Sequence, residues 1–77
     1  MKDKDMYSLR VLDIQYKLIK NLKKKRIENN LSQKDIANMT GLSQQAISRI
    51  ETFQYSPSLP NLIKYMDAVK IDINELF

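Results

Sequence analysis

One glycine in 77 residues leaves few places where this chain can reverse, and Gly41 stands between two serine-led helix starts. In "LSQKDIANMTGLSQQAISRIE", Ser32 is followed three residues later by Asp35. A serine hydroxyl and an acid at that spacing can satisfy each other's free backbone N–H groups at a helix N-terminus, where the dipole also favours negative charge. Leu31 can staple onto Ile36. Ser43 opens a second helix only two residues after the glycine. Gly41 is therefore expected to take the left-handed turn conformation that costs other residues most.

Two helices joined this tightly must cross steeply, and their contact positions are narrowly specified. Ala37 must be small, Gly41 must turn without a Cβ clash, and Ile47 and Ile50 must face the core, with Ile36 and Leu42 completing the seam. Every one of these positions holds a suitable residue, which predicts a helix-turn-helix unit over residues 33–52. Elsewhere, a first helix is expected from about Val11 to Asn29, with Ile14, Leu18, Leu22 and Arg26 along one face, joined by Ile19 and Ile27. Ser58 caps a fourth helix with Leu59, Leu62, Ile63, Met66, Ala68 and Val69 on its apolar side, and Met39 belongs to the apolar set of the second. Asp72 and Glu75 start a short fifth helix. Residues 1–10 alternate charge without periodicity and read as a flexible tail ahead of one all-α domain of five helices over 11–77.

Composition removes several functions. The chain has neither histidine nor cysteine, so the usual general bases, thiol nucleophiles and zinc ligands are missing and no disulfide can form. No catalytic residue, metal or cofactor is expected. There is no apolar run of the roughly 20 residues a bilayer requires and no signal-peptide pattern, so the expected location is cytoplasmic, with no membrane partner. The net charge of +4 points only weakly to polyanions. Six of the thirteen basic residues fall in "KLIKNLKKKR", residues 17–26, which is either a solvated helix face or a strip along a phosphate backbone.

With Ile47 and Ile50 inward, Gln44, Gln45, Ser48 and Arg49 must point outward from the first turns of their helix. A glutamine amide can pair bidentately with adenine, and a guanidinium can fork onto guanine in the major groove. Residues 36–50 contain no acid, as a surface facing phosphates needs. Lys34 is placed to meet a phosphate.

The stretch "LSQKDIANMTGLSQQAISRIE" with the following "PSLPNL" resembles the lambda-repressor-like helix-turn-helix domains of the Cro and XRE class of transcriptional regulators, from about Tyr16 to Phe77. The resemblance implies a five-helix domain that binds a palindromic double-stranded operator as a homodimer, as a repressor. By position it implies that Gln44, Gln45 and Arg49 read bases, with Ser48 on a base or a phosphate. Gln33, Ser43, Thr52, Gln54 and Tyr55 are the implied phosphate contacts, and Gln33 also braces the reading helix. Arg26 and Glu51 are implied to form a partly buried ion pair. The terminal apolar residues Ile71, Ile73, Leu76 and Phe77 are the expected dimer seam, because so short a helix cannot bury them all alone. Ending at Phe77, the chain is expected to lack the effector part that some members carry. Two positions depart from the family: Phe53 and Lys70 stand where it usually has glycine just after a helix. The stretch from Tyr16 to Gln33 also resembles antitoxins of the HigA type, which makes a toxin protein a second candidate partner.

Overall fold

A computed structural model of the chain describes residues 2–76. Four helices of eight or more residues follow one another: α1 (Lys2–Glu28), α2 (Gln33–Thr40), α3 (Gln44–Glu51) and α4 (Leu59–Val69), with a single-turn α5 (Ile73–Leu76). Among the described residues there is no strand, and no helix is long and apolar enough to cross a membrane.

The helix starts follow the serines. Ser32 accepts a bond from the Asp35 N–H at 3.0 Å, and its own N–H donates to the Asp35 carboxylate at 2.8 Å, so the reciprocal cap of α2 is complete. Those bonds from Ser32 hold the Asp35 carboxyl below its ordinary pKa. Ser43 accepts from Ala46 N–H at the start of α3, and Ser58 from Asn61 N–H at the start of α4, whose first turn tolerates Pro60. At α5 the Asp72 N–H donates to Glu75, while the Asp72 carboxylate accepts from Asn74 N–H.

The helix ends share one device. α1, α3 and α4 each close with a residue at positive φ: Asn30 at 58°, Phe53 at 62° and Lys70 at 58°. In each case that residue's N–H returns to the carbonyl three back and the next N–H to the carbonyl five back, as in Leu31 to Arg26, Gln54 to Arg49 and Ile71 to Met66. This double bond pattern satisfies carbonyls that a helix end otherwise leaves open. Gly41, at φ 78°, closes α2 through a bond to the Ala37 carbonyl. An added Cβ at Gly41 would meet nothing within 4 Å. The expected clash is therefore absent, and it is backbone conformation alone that asks for glycine.

The core gathers Ile19 and Leu22 of α1, Ile36 and Ala37 of α2, Ile47 and Ile50 of α3, and Tyr65, Ala68 and Val69 of α4. Leu18, Leu31, Leu42, Leu62, Met66 and Ile71 pack half-buried around it. Two further ties are polar: the Thr40 hydroxyl bonds the Ile36 carbonyl and receives the Leu42 N–H, and the Asn29 amide donates to the Val69 carbonyl.

Several expectations change. α1 begins at Lys2, not near Val11, so the segment read as a tail continues the helical backbone; it contains no glycine or proline to stop one. The helix thus overruns the core, and Val11 and Ile14 stay exposed along a shallow groove that they line with Leu18 and with Leu62 of α4. Ile27 is exposed since Arg26 holds the inward position beside it. Met39 (54% exposed) and Leu59 (69%) also face outward, on turns that the core does not reach. Gly41→Ala should lower stability by about 1–2 kcal/mol, the cost of a Cβ in the left-handed region, while Gly41→Asn should cost less. Urea unfolding of the two variants checks this; equal stabilities would show that φ is not the constraint.

Candidate nucleic-acid interface

α3 sits across the front of the bundle because its inner row is locked. Ile47 and Ile50 are wholly enclosed, and Glu51 at its C-terminal end is 3% exposed. The Glu51 carboxylate is gripped from every other long helix. Arg26 of α1 donates through Nε at 2.8 Å and Nη2 at 2.9 Å, Gln33 of α2 through Nε2 at 3.1 Å, and Tyr65 of α4 through its hydroxyl. The remaining Nη1 of Arg26 donates to the Leu31 carbonyl at 2.7 Å, which fixes the turn between α1 and α2. No buried polar side-chain atom among the described residues lacks a partner.

The titration behaviour follows from this geometry. Burial alone would push the Glu51 carboxyl up, but the bonds from Arg26, Tyr65 and Gln33 together hold it below its ordinary value. Burial, and then donation to the neighbouring carboxylate, push the Tyr65 hydroxyl well above its usual range. The bond to Glu51 raises Arg26 further. Arg26 and Glu51 therefore meet as the resemblance implies, but as two members of a four-residue cluster. No motif in the sequence marks Tyr65 as the fourth member. Its position three after Leu62 and four before Val69 puts it on the inward row of α4, and its hydroxyl needed a buried partner.

The opposite side of α3 is open. Gln44, Gln45 and Arg49 are exposed and Ser48 is half-buried. Lys34 and Ser43 are exposed beside them, and the Ser43 hydroxyl, which among the described residues only accepts, keeps its proton for an outside acceptor. Gln33 is half-buried, with its amide nitrogen on Glu51. One hydrogen of that amide is therefore committed, and one remains. Thr52 is exposed just past α3, and its hydroxyl donates to the Ser48 carbonyl at 2.8 Å, so it must turn before it can donate outward. Gln54 and Tyr55 are exposed in the loop that follows.

That loop is tied to α1. The Phe53 ring stacks on Tyr16 at a centroid separation of 4.7 Å and an interplanar angle of 24°. The Lys20 ammonium lies 5.8 Å from the Tyr16 centroid. Below, Leu12, Gln15, Tyr16 and Ile19 line an open groove with residues 53–56. Among the expected seam residues, Ile71 packs half-buried on the core; the side chains of Ile73 and Leu76, and Phe77, lie outside the described residues. Among the described residues no three of His, Cys, Asp or Glu cluster as metal ligands.

An outward row of amides and a guanidinium on a rigidly seated helix can present paired donors and acceptors to base edges. Residues 22–76 match the family model described as Helix-turn-helix. The fold is similar to a Y37A mutant of the restriction-modification controller protein C.Esp1396I, with a TM-score of 0.77, 26% identity and 83% of each chain covered. It is also similar to the restriction-modification controller protein C.AhdI from Aeromonas hydrophila, with a TM-score of 0.73 and 32% identity, over 82% of this chain and 96% of that one. No curated protein matches the chain.

The carboxyl of Glu51 titrates lower in the fold than its ordinary 4.5, so its stabilisation is complete above that pH and is lost as the pH falls through the depressed value. Tyr65 runs the other way: its contribution is complete below its ordinary 10.0 and fades as the pH climbs beyond it. Stability should thus hold a plateau between these limits. Glu51→Ala should lower that plateau by about 3–5 kcal/mol, by stranding Arg26, and should flatten the acid limb. Urea melts of both proteins from acid to alkaline pH test this; an acid limb unchanged in Glu51→Ala would refute the assignment.

Proposed function

Because this chain belongs to the helix-turn-helix family, in its lambda-repressor-like Cro/XRE class, and is a DNA-binding transcriptional regulator, we propose that it acts as a homodimer, reads a palindromic operator and represses transcription there. The observation that carries this reading is the two-sidedness of α3, with Ile47, Ile50 and Glu51 locked inside and Gln44, Gln45 and Arg49 turned out. In the major groove the two glutamines suit adenine and Arg49 suits guanine. Ser48 reaches a base or the adjoining phosphate. Ser43, Lys34 and the free hydrogen of Gln33 hold one backbone strand, and Gln54, Tyr55 and a rotated Thr52 hold the other. The helix-start N–H groups behind Ser43 add a positive end to the first of these.

Ile71 with Ile73, Leu76 and Phe77 forms the two-fold seam, so that two copies of α3 address successive turns of one duplex face. Both similar structures are restriction-modification controller proteins, which makes the promoter of such a gene pair the first target to examine. The antitoxin reading draws on the stretch from Tyr16 to Gln33, and the two similar structures are controller proteins instead.

Selection from random duplexes tests the proposal. The wild-type chain should enrich a palindrome, and Arg49→Ala should lose preference at one position of each half-site at a cost of about 1–3 kcal/mol. Lys34→Ala should weaken all duplexes alike and reduce the salt slope by about 1. Enrichment of no common sequence by the wild-type protein would contradict the reading.

A further inference from the structure

Of the three residues other than glycine held at positive φ, Phe53 is the one for which the conformation is most costly, being bulky and aromatic. Asparagine tolerates the region, and Lys70 is neither β-branched nor aromatic. Such an outlier persists only when its surroundings over-determine it, and it warrants a search for what the strain secures. Here it secures a contact. At φ 62° the backbone reverses directly after α3, and the Phe53 ring lies on Tyr16 of α1. Tyr16 is exposed on a helix that, among the described residues, also reaches this corner through Gln15, whose side chain meets Ser56 at 3.4 Å, and through the groove below.

We propose that Tyr16 and Phe53 form a brace between α1 and the loop after α3, and that this brace sets the position from which Gln54 and Tyr55 meet the DNA backbone. Tyr16 is thus a positioning residue for DNA affinity that itself touches no DNA. The inference rests on the DNA-binding reading above, yet the brace has consequences without DNA. A glycine at position 53 would take φ 62° without strain and would remove the ring that ties the loop to Tyr16. The phenylalanine gives up that ease for a fixed loop. The two Schellman-type bonds at this end, Phe53 N–H to Ile50 and Gln54 N–H to Arg49 at 2.8 Å, shape the turn but do not join it to α1. The aromatic pair is what makes that link, alongside the long Gln15–Ser56 contact.

The test uses the full chain as wild type, Tyr16→Ala, Tyr16→Phe and Phe53→Gly. Two probes are used: the duplex enriched by the wild type, and a scrambled duplex of equal length. Tyr16→Ala and Phe53→Gly should weaken both duplexes by about tenfold, with base preference unchanged and the salt slope lowered by about 1. Tyr16→Phe should match wild type, since the ring rather than the hydroxyl makes the stack. Phe53→Gly should lose affinity without losing thermal stability, which a merely structural role could not produce. Backbone order parameters of the DNA-free proteins give a second readout: those of Gln54 and Tyr55 should fall in Tyr16→Ala and Phe53→Gly, while that of Ile50 is unaffected. Wild-type order parameters at Gln54 and Tyr55 in both variants would overturn the brace, whatever the duplexes do. A mobile loop with wild-type affinity and salt slope would overturn its role in DNA binding. If even the wild type retains no duplex, the DNA-binding reading fails and with it this role, while the order parameters still decide whether the brace exists.

Discussion

A carboxylate with no exposed surface sits where four helices meet, and the rest of the molecule is arranged to supply its donors. The Glu51 side chain is 0% exposed, and an isolated ion in that position would be strongly unfavourable. Arg26, Gln33 and Tyr65 each bring a donor from a different helix, so the charge is tolerable only when α1, α2 and α4 are all in place. Apolar packing alone is less particular, because a cluster of isoleucines and leucines can slide or rotate at modest cost. Directional bonds to one carboxylate cannot. The rotation of α3 about its own axis follows from this, and with it the direction in which Gln44, Gln45 and Arg49 point.

The size of the domain explains why such a device is used. α2 and α3 have eight residues each, far below the length at which a helix holds together in water. Their stability is borrowed from caps, from tertiary contacts and from well-made ends. Four helices end at residues of positive φ, and only one of these is glycine. Strain of about 1–3 kcal/mol at such a residue is comparable with the whole benefit of an aromatic stack, about 0.5–1.5 kcal/mol beyond area burial. Stability alone is therefore a poor reason for phenylalanine at position 53, and a fixed loop is a better one.

What could be read in the sequence was whatever depends on neighbours along the chain. Ser32 with Asp35, Ser43, Ser58 and Gly41 announce helix boundaries through local hydrogen bonds and backbone conformation, and the helices start or stop there. The inward row of α3 was legible because Ile47, Ile50 and the small Ala37 meet a geometry fixed by a short turn. What depends on distant packing was not. Ile14, Ile27 and Met39 have core-like chemistry but lie at the rim of a small bundle that covers them only in part. Tyr65 joins Glu51 from 14 residues away, which no local pattern marks, while the brace from Gln33, 18 residues away, is legible only through the family resemblance. The Tyr16–Phe53 stack likewise spans α1 and a loop far along the chain. The start of α1 is illegible for another reason: alternating lysine and aspartate carry no apolar periodicity to mark a helix.

The central claim is that the locked side of α3 aims its other side at base edges, and nuclear magnetic resonance during titration with the enriched duplex measures it most directly. The side-chain amides of Gln44 and Gln45 and the guanidinium Nε of Arg49 should shift most, with the Glu51 cluster unmoved. Shifts concentrated instead on the lysines of residues 17–25, with those three side chains silent, would contradict the account.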